Sequence, residues 1–129
     1  MHLEAGGKDC WIRGRMDAVV VADVPKVIDY KYAAWQEGAE SDYEVQLTAY
    51  SLALMKALSA GRAIAELWYL KSPMKVVRRE YTFEEAENRL RELFLKYVNA
   101  IQTNHWAAAE RSYCDHVECG FRRKCWSAC

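Results

Sequence analysis

No excess of charge marks this chain: 18 Lys and Arg residues balance 18 Asp and Glu, so the formal net charge is zero. A domain that gathers nucleic acid through its overall field is strongly basic, so any contact with a polyanion has to be made locally here. Glycine (6) and proline (2) are scarce, and the 129 residues contain no low-complexity block and no internal repeat. That excludes collagen-like, repeat and disordered classes. With 52% apolar residues it leaves a single domain, 1–129, with a core of its own. The longest apolar stretches, around Ala18 to Ala22 and Leu52 to Leu58, fall far short of the roughly 20 residues that cross a bilayer. The N-terminus has no charged-then-apolar signal pattern, so a cytoplasmic protein with no membrane association is expected.

What is present reads as alternating strands and helices. The opening, with Gly6 and Gly7, is a start or hairpin turn. Cys10 to Ala22 is rich in strand formers, and Gly14 within it marks a bulge or a close backbone approach. A turn at Asp23 to Lys26 leads to a second strand, VIDYKYA. Tyr43 to Ala60 has helical spacing of Leu47, Leu54 and Leu58, with Ser41 or Asp42 as N-terminal cap and Gly61 as terminator. Ala63 to Leu70 reads as a buried strand, and Met74 to Tyr81 as a half-exposed edge strand after a turn at Ser72-Pro73. Thr82 and Glu85 then form a capping box for a helix from Phe83 to Thr103. The sum is an α/β domain with a central sheet flanked by helices.

In VIDYKYA, strand alternation puts Asp29 and Lys31 on one side, about 7 Å apart along the strand, and Tyr30 on the other. A carboxylate beside an ammonium can hold a divalent cation and steady an attacking water or a developing phosphate charge. By itself a D-x-K pair is ordinary surface charge. Asp17, 12 residues earlier in the preceding strand, supplies a partner that a hairpin brings alongside. Two carboxylates from adjacent strands suit Mg²⁺ or Mn²⁺. On the helix, Gln46 and Tyr50 are four apart and share a face.

Together, G-R-M-D at 14–17, V-I-D-Y-K at 27–31 and Q-L-T-A-Y at 46–50 closely resemble the RecB-type branch of the PD-(D/E)xK nuclease superfamily. The resemblance implies a restriction-endonuclease-like core with a mixed central sheet. It makes Asp17, Asp29 and the Tyr30 carbonyl metal ligands, and Lys31 the group that positions or activates water. Gln46 and Tyr50 would support the site and contact DNA near the scissile phosphate. Many relatives add a His or Glu from an upstream helix, whereas this chain begins only 16 residues before Asp17. His2 and Glu4 are the available stand-ins, on no recognisable helix, so the chain is either a fragment or short of one ligand.

Four of the five cysteines fall in the last 16 residues as C-x4-C-x5-C-x3-C: Cys114, Cys119, Cys125 and Cys129. Without a secretion signal, such clustering points to metal rather than disulfides, and soft sulfur selects an iron-sulfur cluster or tetrahedral Zn²⁺. The tail resembles that of AddB-like and CRISPR-adaptation nucleases, which implies a [4Fe-4S] cluster on Cys114, Cys119 and Cys125. The fourth ligand would be Cys129, or alternatively Cys10. On this division, 8–110 is the nuclease core and 111–129 the metal-binding tail.

A staple there would set Arg122, Arg123 and Lys124 beside DNA. Trp106, Phe121 and Trp126 either stack on unpaired bases or pack around the tail. The basic cluster of Lys75, Arg78 and Arg79 reads as solvated surface. The expected function is a Mg²⁺- or Mn²⁺-dependent deoxyribonuclease, more exonuclease than endonuclease, acting in recombination, repair, phage DNA processing or CRISPR adaptation. Its partners would be single-stranded DNA or duplex ends and a helicase or recombination protein. The alternative is an inactive DNA-binding or scaffolding module of the same fold.

Overall fold

A computed structural model of the chain describes residues 1–106. The chain divides into two units, Met1–Leu95 and Lys96–Cys129, and everything that bears on the candidate site lies in the first. It opens with a hairpin of β1 (His2–Ala5) and β2 (Lys8–Trp11), paired as a two-stranded sheet. Gly6 and Gly7 turn the chain with φ of 58° and 68°. Two consecutive left-handed residues are what a two-residue hairpin turn requires, and glycine adopts them without a Cβ clash.

The main sheet runs β3-β4-β5-β6, from β3 (Ala18–Val20), β4 (Lys26–Lys31), β5 (Arg62–Tyr69) and β6 (Lys75–Thr82). Its outer pairs are antiparallel and the central β4/β5 pair is parallel. A parallel pair needs a long crossover, and α1 (Glu44–Leu58) supplies it; α2 (Phe83–Thr103) follows β6 directly. This is the expected α/β architecture with a mixed sheet and helices.

Alternation along the strands sends Val27, Ala65 and Leu67 into one core with Leu47, Leu52 and Met55 of α1, joined by Leu3 of the hairpin and Leu90 of α2. Fully burying such side chains stabilises by about 1.5–3 kcal/mol each. On the opposite face of β5 the buried Glu66 pairs with Lys26 at 2.8 Å and accepts the Trp68 indole N–H at 3.0 Å. Burial alone would push this carboxyl up. The Lys26 and Trp68 hydrogen bonds, with the Lys26 and Arg78 charges, outweigh it and hold Glu66 below the ordinary carboxylate range.

Four local expectations are corrected. The strand read from Cys10 to Ala22 is two strands, because β2 ends at Trp11 and β3 begins only at Ala18. Ser41 and Asp42 do not cap α1 but lie in a short 3-10 helix, Ala39–Tyr43, where the Ser41 hydroxyl donates to the Gly38 carbonyl at 2.8 Å. The left-handed residue that ends α1 is Ser59, whose N–H reaches the Met55 carbonyl, rather than Gly61. Leu47 and Leu54 are buried as expected, whereas Leu58 is 40% exposed because the last turn of α1, from Lys56 on, leaves the packed layer. Phe83–Thr103 is helical as read, and the Thr82 hydroxyl takes the Glu85 N–H at 3.3 Å.

Candidate active site

Strand β4 carries the centre of the site. Its alternation buries Asp29 to 3% exposure while leaving Tyr30 43% exposed, which is the opposed orientation read from VIDYKYA. The β3/β4 register pairs Ala18 with Ile28, and one step further along the same antiparallel ladder Asp17 stands opposite Asp29. There the ladder stops. The exposed Asp17 side chain replaces the backbone acceptor, Oδ2 taking the Tyr30 N–H at 2.9 Å. One carboxylate is therefore pinned to the peptide that follows the other.

Helix α1 completes the arrangement through Gln46. Both hydrogens of its amide nitrogen are used, one on Asp29 Oδ1 at 3.2 Å and one on the Tyr50 hydroxyl oxygen at 2.9 Å. Its carbonyl oxygen accepts from Lys31 Nζ at 3.4 Å. Only an amide side chain, with donor and acceptor on one carbon, can serve an anion and a cation in this way. Tyr50 passes the constraint on, its hydroxyl donating to the Arg15 carbonyl at 2.7 Å. The loop before Asp17 is thereby tied to the helix.

Lys31 Nζ stands 2.6 Å from Asp29 Oδ2 and 4.0 Å above the centre of the Tyr43 ring, a cation-π contact that helps a largely desolvated ammonium. Beside it on β5, Tyr69 pairs in register with Lys31 and is buried with its hydroxyl unpartnered; burial pushes that hydroxyl up.

The donor chemistry fits a hard divalent cation. Asp29 is a buried carboxylate that spends one contact per oxygen, Oδ1 on Gln46 and Oδ2 on Lys31, which leaves each oxygen a further acceptor position, and Asp17 adds a second carboxylate. Among the described residues no group of three His, Cys, Asp or Glu side chains converges. His2 and Glu4 therefore do not complete such a set. Both lie on β1, His2 bonded to Asp9 at 2.9 Å.

The structure thus brings together Asp17, the Tyr30 backbone, Asp29, Lys31, Gln46 and Tyr50. Cys10 is a free thiol on β2. Cys114, Cys119, Cys125 and Cys129, with Phe121, Arg122, Arg123, Lys124 and Trp126, lie outside the described residues. Trp106 is exposed, its ring 6.5 Å from that of Tyr97. Of the β6 basic cluster, Lys75 sits over the Trp35 ring and Arg79 reaches Glu40 at 3.9 Å.

Two participants escaped the sequence reading, and the role of a third was left open by it. Tyr43 stands one helical turn before Gln46, a spacing that could have exposed it. The Arg15 carbonyl left no signal, since a backbone acceptor is independent of residue type. Gly14 was flagged only as a bulge or close approach, and the structure decides for the approach: a Cβ there would lie 2.8 Å from Tyr50 Cε1.

No curated protein matches the sequence. Among solved structures, the crystal structure of SSO0001 matches with a TM-score of 0.53 and 19% identity, covering 89% of this chain and 52% of that one. At that identity the likeness concerns the fold, and this chain spans about half the length of that protein. A sequence model described as the PD-(D/E)XK nuclease superfamily matches residues 1–126, the span that holds Asp17 and the Asp29-Tyr30-Lys31 strand. With a restriction-endonuclease-like mixed sheet carrying that motif beside a second carboxylate, the chain belongs to the PD-(D/E)XK nuclease superfamily.

Proposed function

We propose that the chain is a metal-dependent deoxyribonuclease of the RecB type that removes nucleotides from DNA ends. The observation that carries this reading is Gln46 joining Asp29 to Lys31 on the strand edge where Asp17 is pinned. Asp17, Asp29 and the Tyr30 carbonyl would hold Mg²⁺ or Mn²⁺, which when bound supplies Lewis-acid charge at the phosphate. Lys31 orients the attacking water and offers positive charge to the phosphoryl oxygens as the P–O bond breaks. Gln46 fixes the separation of Asp29 and Lys31, and Tyr50 fixes Gln46. Burial beneath α1 keeps bulk water from weakening these interactions.

The setting in which such an enzyme works is recombination, repair, phage DNA processing or CRISPR adaptation, with a helicase or recombination protein delivering DNA. The terminal cysteines would bind a [4Fe-4S] cluster, or Zn²⁺ in its place, as a structural staple. A second reading, an inactive DNA-binding module of the same fold, is favoured by the convergence of two rather than three acidic or His side chains among the described residues. Mn²⁺-dependent degradation of end-labelled linear DNA, with a closed circular DNA as control, separates the two. Release of short products from the linear substrate that vanishes in Asp29→Asn supports the exonuclease. Cleavage retained in full by Asp29→Asn refutes the site, and DNA binding without cleavage selects the second reading.

A further inference from the structure

Beside the Gln46 network, α1 and the segment between β2 and β3 enclose a cleft of about 760 Å³. That is inside the range of roughly 300–1,000 Å³ that ligand sites occupy. Ile12 and Met16 form one apolar wall and Val45, Ala49 and Ala53 the other. The last three succeed one another at single-turn intervals along α1, and the two alanines leave open a space that longer side chains would fill. Gln46 and Tyr50 belong to the same lining, so the cleft begins where the Asp29-Lys31 cluster ends. Arg13 and Asp42 stand at its polar positions, both exposed.

We infer that this cleft receives an unpaired nucleobase of a single DNA strand whose adjoining phosphate lies at Asp17 and Asp29, making the site selective for single-stranded over duplex DNA. The inference rests on the nuclease reading above and adds its substrate class. A nucleobase is flat and apolar on both faces and polar at its edge. The cleft offers apolar walls to the faces, a carboxylate to an exocyclic amine, and a guanidinium to the neighbouring phosphate. A protein of zero net charge cannot rely on its overall field to hold DNA, and an apolar-walled cleft supplies contact that does not depend on it. In a duplex the bases are stacked and paired, so none enters without first being flipped out.

The test is fluorescence anisotropy with the full chain in Ca²⁺, comparing a short oligodeoxycytidylate, whose bases carry the exocyclic amine, the same strand built of abasic residues, and a blunt duplex. The base-bearing strand is expected to bind on the order of tenfold more tightly than the abasic one, as loss of base contact produces in single-strand binders. Ala53→Leu, which projects an isobutyl group from the α1 wall into the cleft, should erase that preference while leaving abasic binding unchanged. Equal affinity for the base-bearing and abasic strands overturns the inference, as does a preference that survives in folded Ala53→Leu. Should that variant not fold, the comparison on the unmodified chain decides alone. Base-dependent binding without Mn²⁺-dependent cleavage would sink the nuclease reading and keep the cleft. Cleavage with no base preference would do the reverse, and no binding of any DNA would overturn both.

Discussion

Adding one methyl group at Gly14 should loosen the candidate active site without touching any charged residue. A Cβ there would come within 2.8 Å of Tyr50 Cε1, well inside the roughly 3.5 Å at which carbon atoms meet without repulsion. The ring has little freedom to retreat, because its hydroxyl is held at 2.7 Å by the Arg15 carbonyl and at 2.9 Å by Gln46 Nε2. Moving it costs these two hydrogen bonds, each worth about 1 kcal/mol net. The backbone at Gly14 is not left-handed, so alanine adds no conformational strain and recovers about 0.5 kcal/mol by restricting the unfolded chain.

The balance for Gly14→Ala is a loss of roughly 1–2 kcal/mol, read as a lowered urea midpoint at unchanged slope. Gln46 then keeps only its contacts to Asp29 and Lys31. Cleavage should fall on the order of tenfold, the rate equivalent of about 1.4 kcal/mol. A double-mutant cycle with Tyr50→Ala isolates the cause, since removing the ring should remove the penalty of the methyl. If Gly14→Ala matches the parent in both stability and cleavage, or if its cost persists without the Tyr50 ring, the linkage from loop to Gln46 is wrong.

Lys31→Met leaves the buried Asp29 carboxylate without its ion-pair partner and should cost about 3 kcal/mol as well as cleavage. Undiminished stability in urea unfolding at neutral pH would show that the pair contributes nothing. Burial and the nearby Glu44 carboxylate push the Tyr81 hydroxyl up from 10.0 to about 12. Because the folded value is the higher one, this contribution is fully present below pH 10 and is lost as pH rises towards 12. Tyr81→Phe should therefore flatten the stability decline over that interval, and an unchanged profile would refute the assignment. For the proposed metal-binding tail, Cys119→Ser is expected to lower the iron or zinc content that elemental analysis measures and, for a cluster, to abolish a brown absorption near about 400 nm; no metal in the parent chain, or unaltered metal content in the variant, would eliminate the staple.

Much of the site was legible because its signals are short-ranged. A strand turns alternate residues to opposite faces whatever surrounds it, so Asp29 and Lys31 had to share a side and Tyr30 had to leave it. Gln46 and Tyr50, four apart, had to share a helical face. Helix ends were less legible because several residues compete for each terminal position. Ser41 and Asp42 are good caps by type, yet the 3-10 turn begun at Gly38 consumes them. Gly61 is a good terminator by type, yet Ser59 adopts the left-handed conformation two residues sooner. The split of Cys10 to Ala22 into β2 and β3 was hidden for the same reason: strand-forming composition does not reveal where pairing partners run out.

The motif resemblance nominated the charged and amide residues that assemble, while periodicity and composition in the sequence alone determined the α/β class and the faces of the strands and helices. Each of those follows from chain geometry within a few residues. The tertiary structure decided what those residues do to one another. Only the β3/β4 register sets Asp17 opposite Asp29, only the packing of α1 on β4 lets one amide bridge Asp29 and Lys31, and only the approach of Tyr50 to Gly14 ties the preceding loop to both. Contacts between residues 12 to 36 positions apart depend on where whole elements pack, and local spacing carries no record of that.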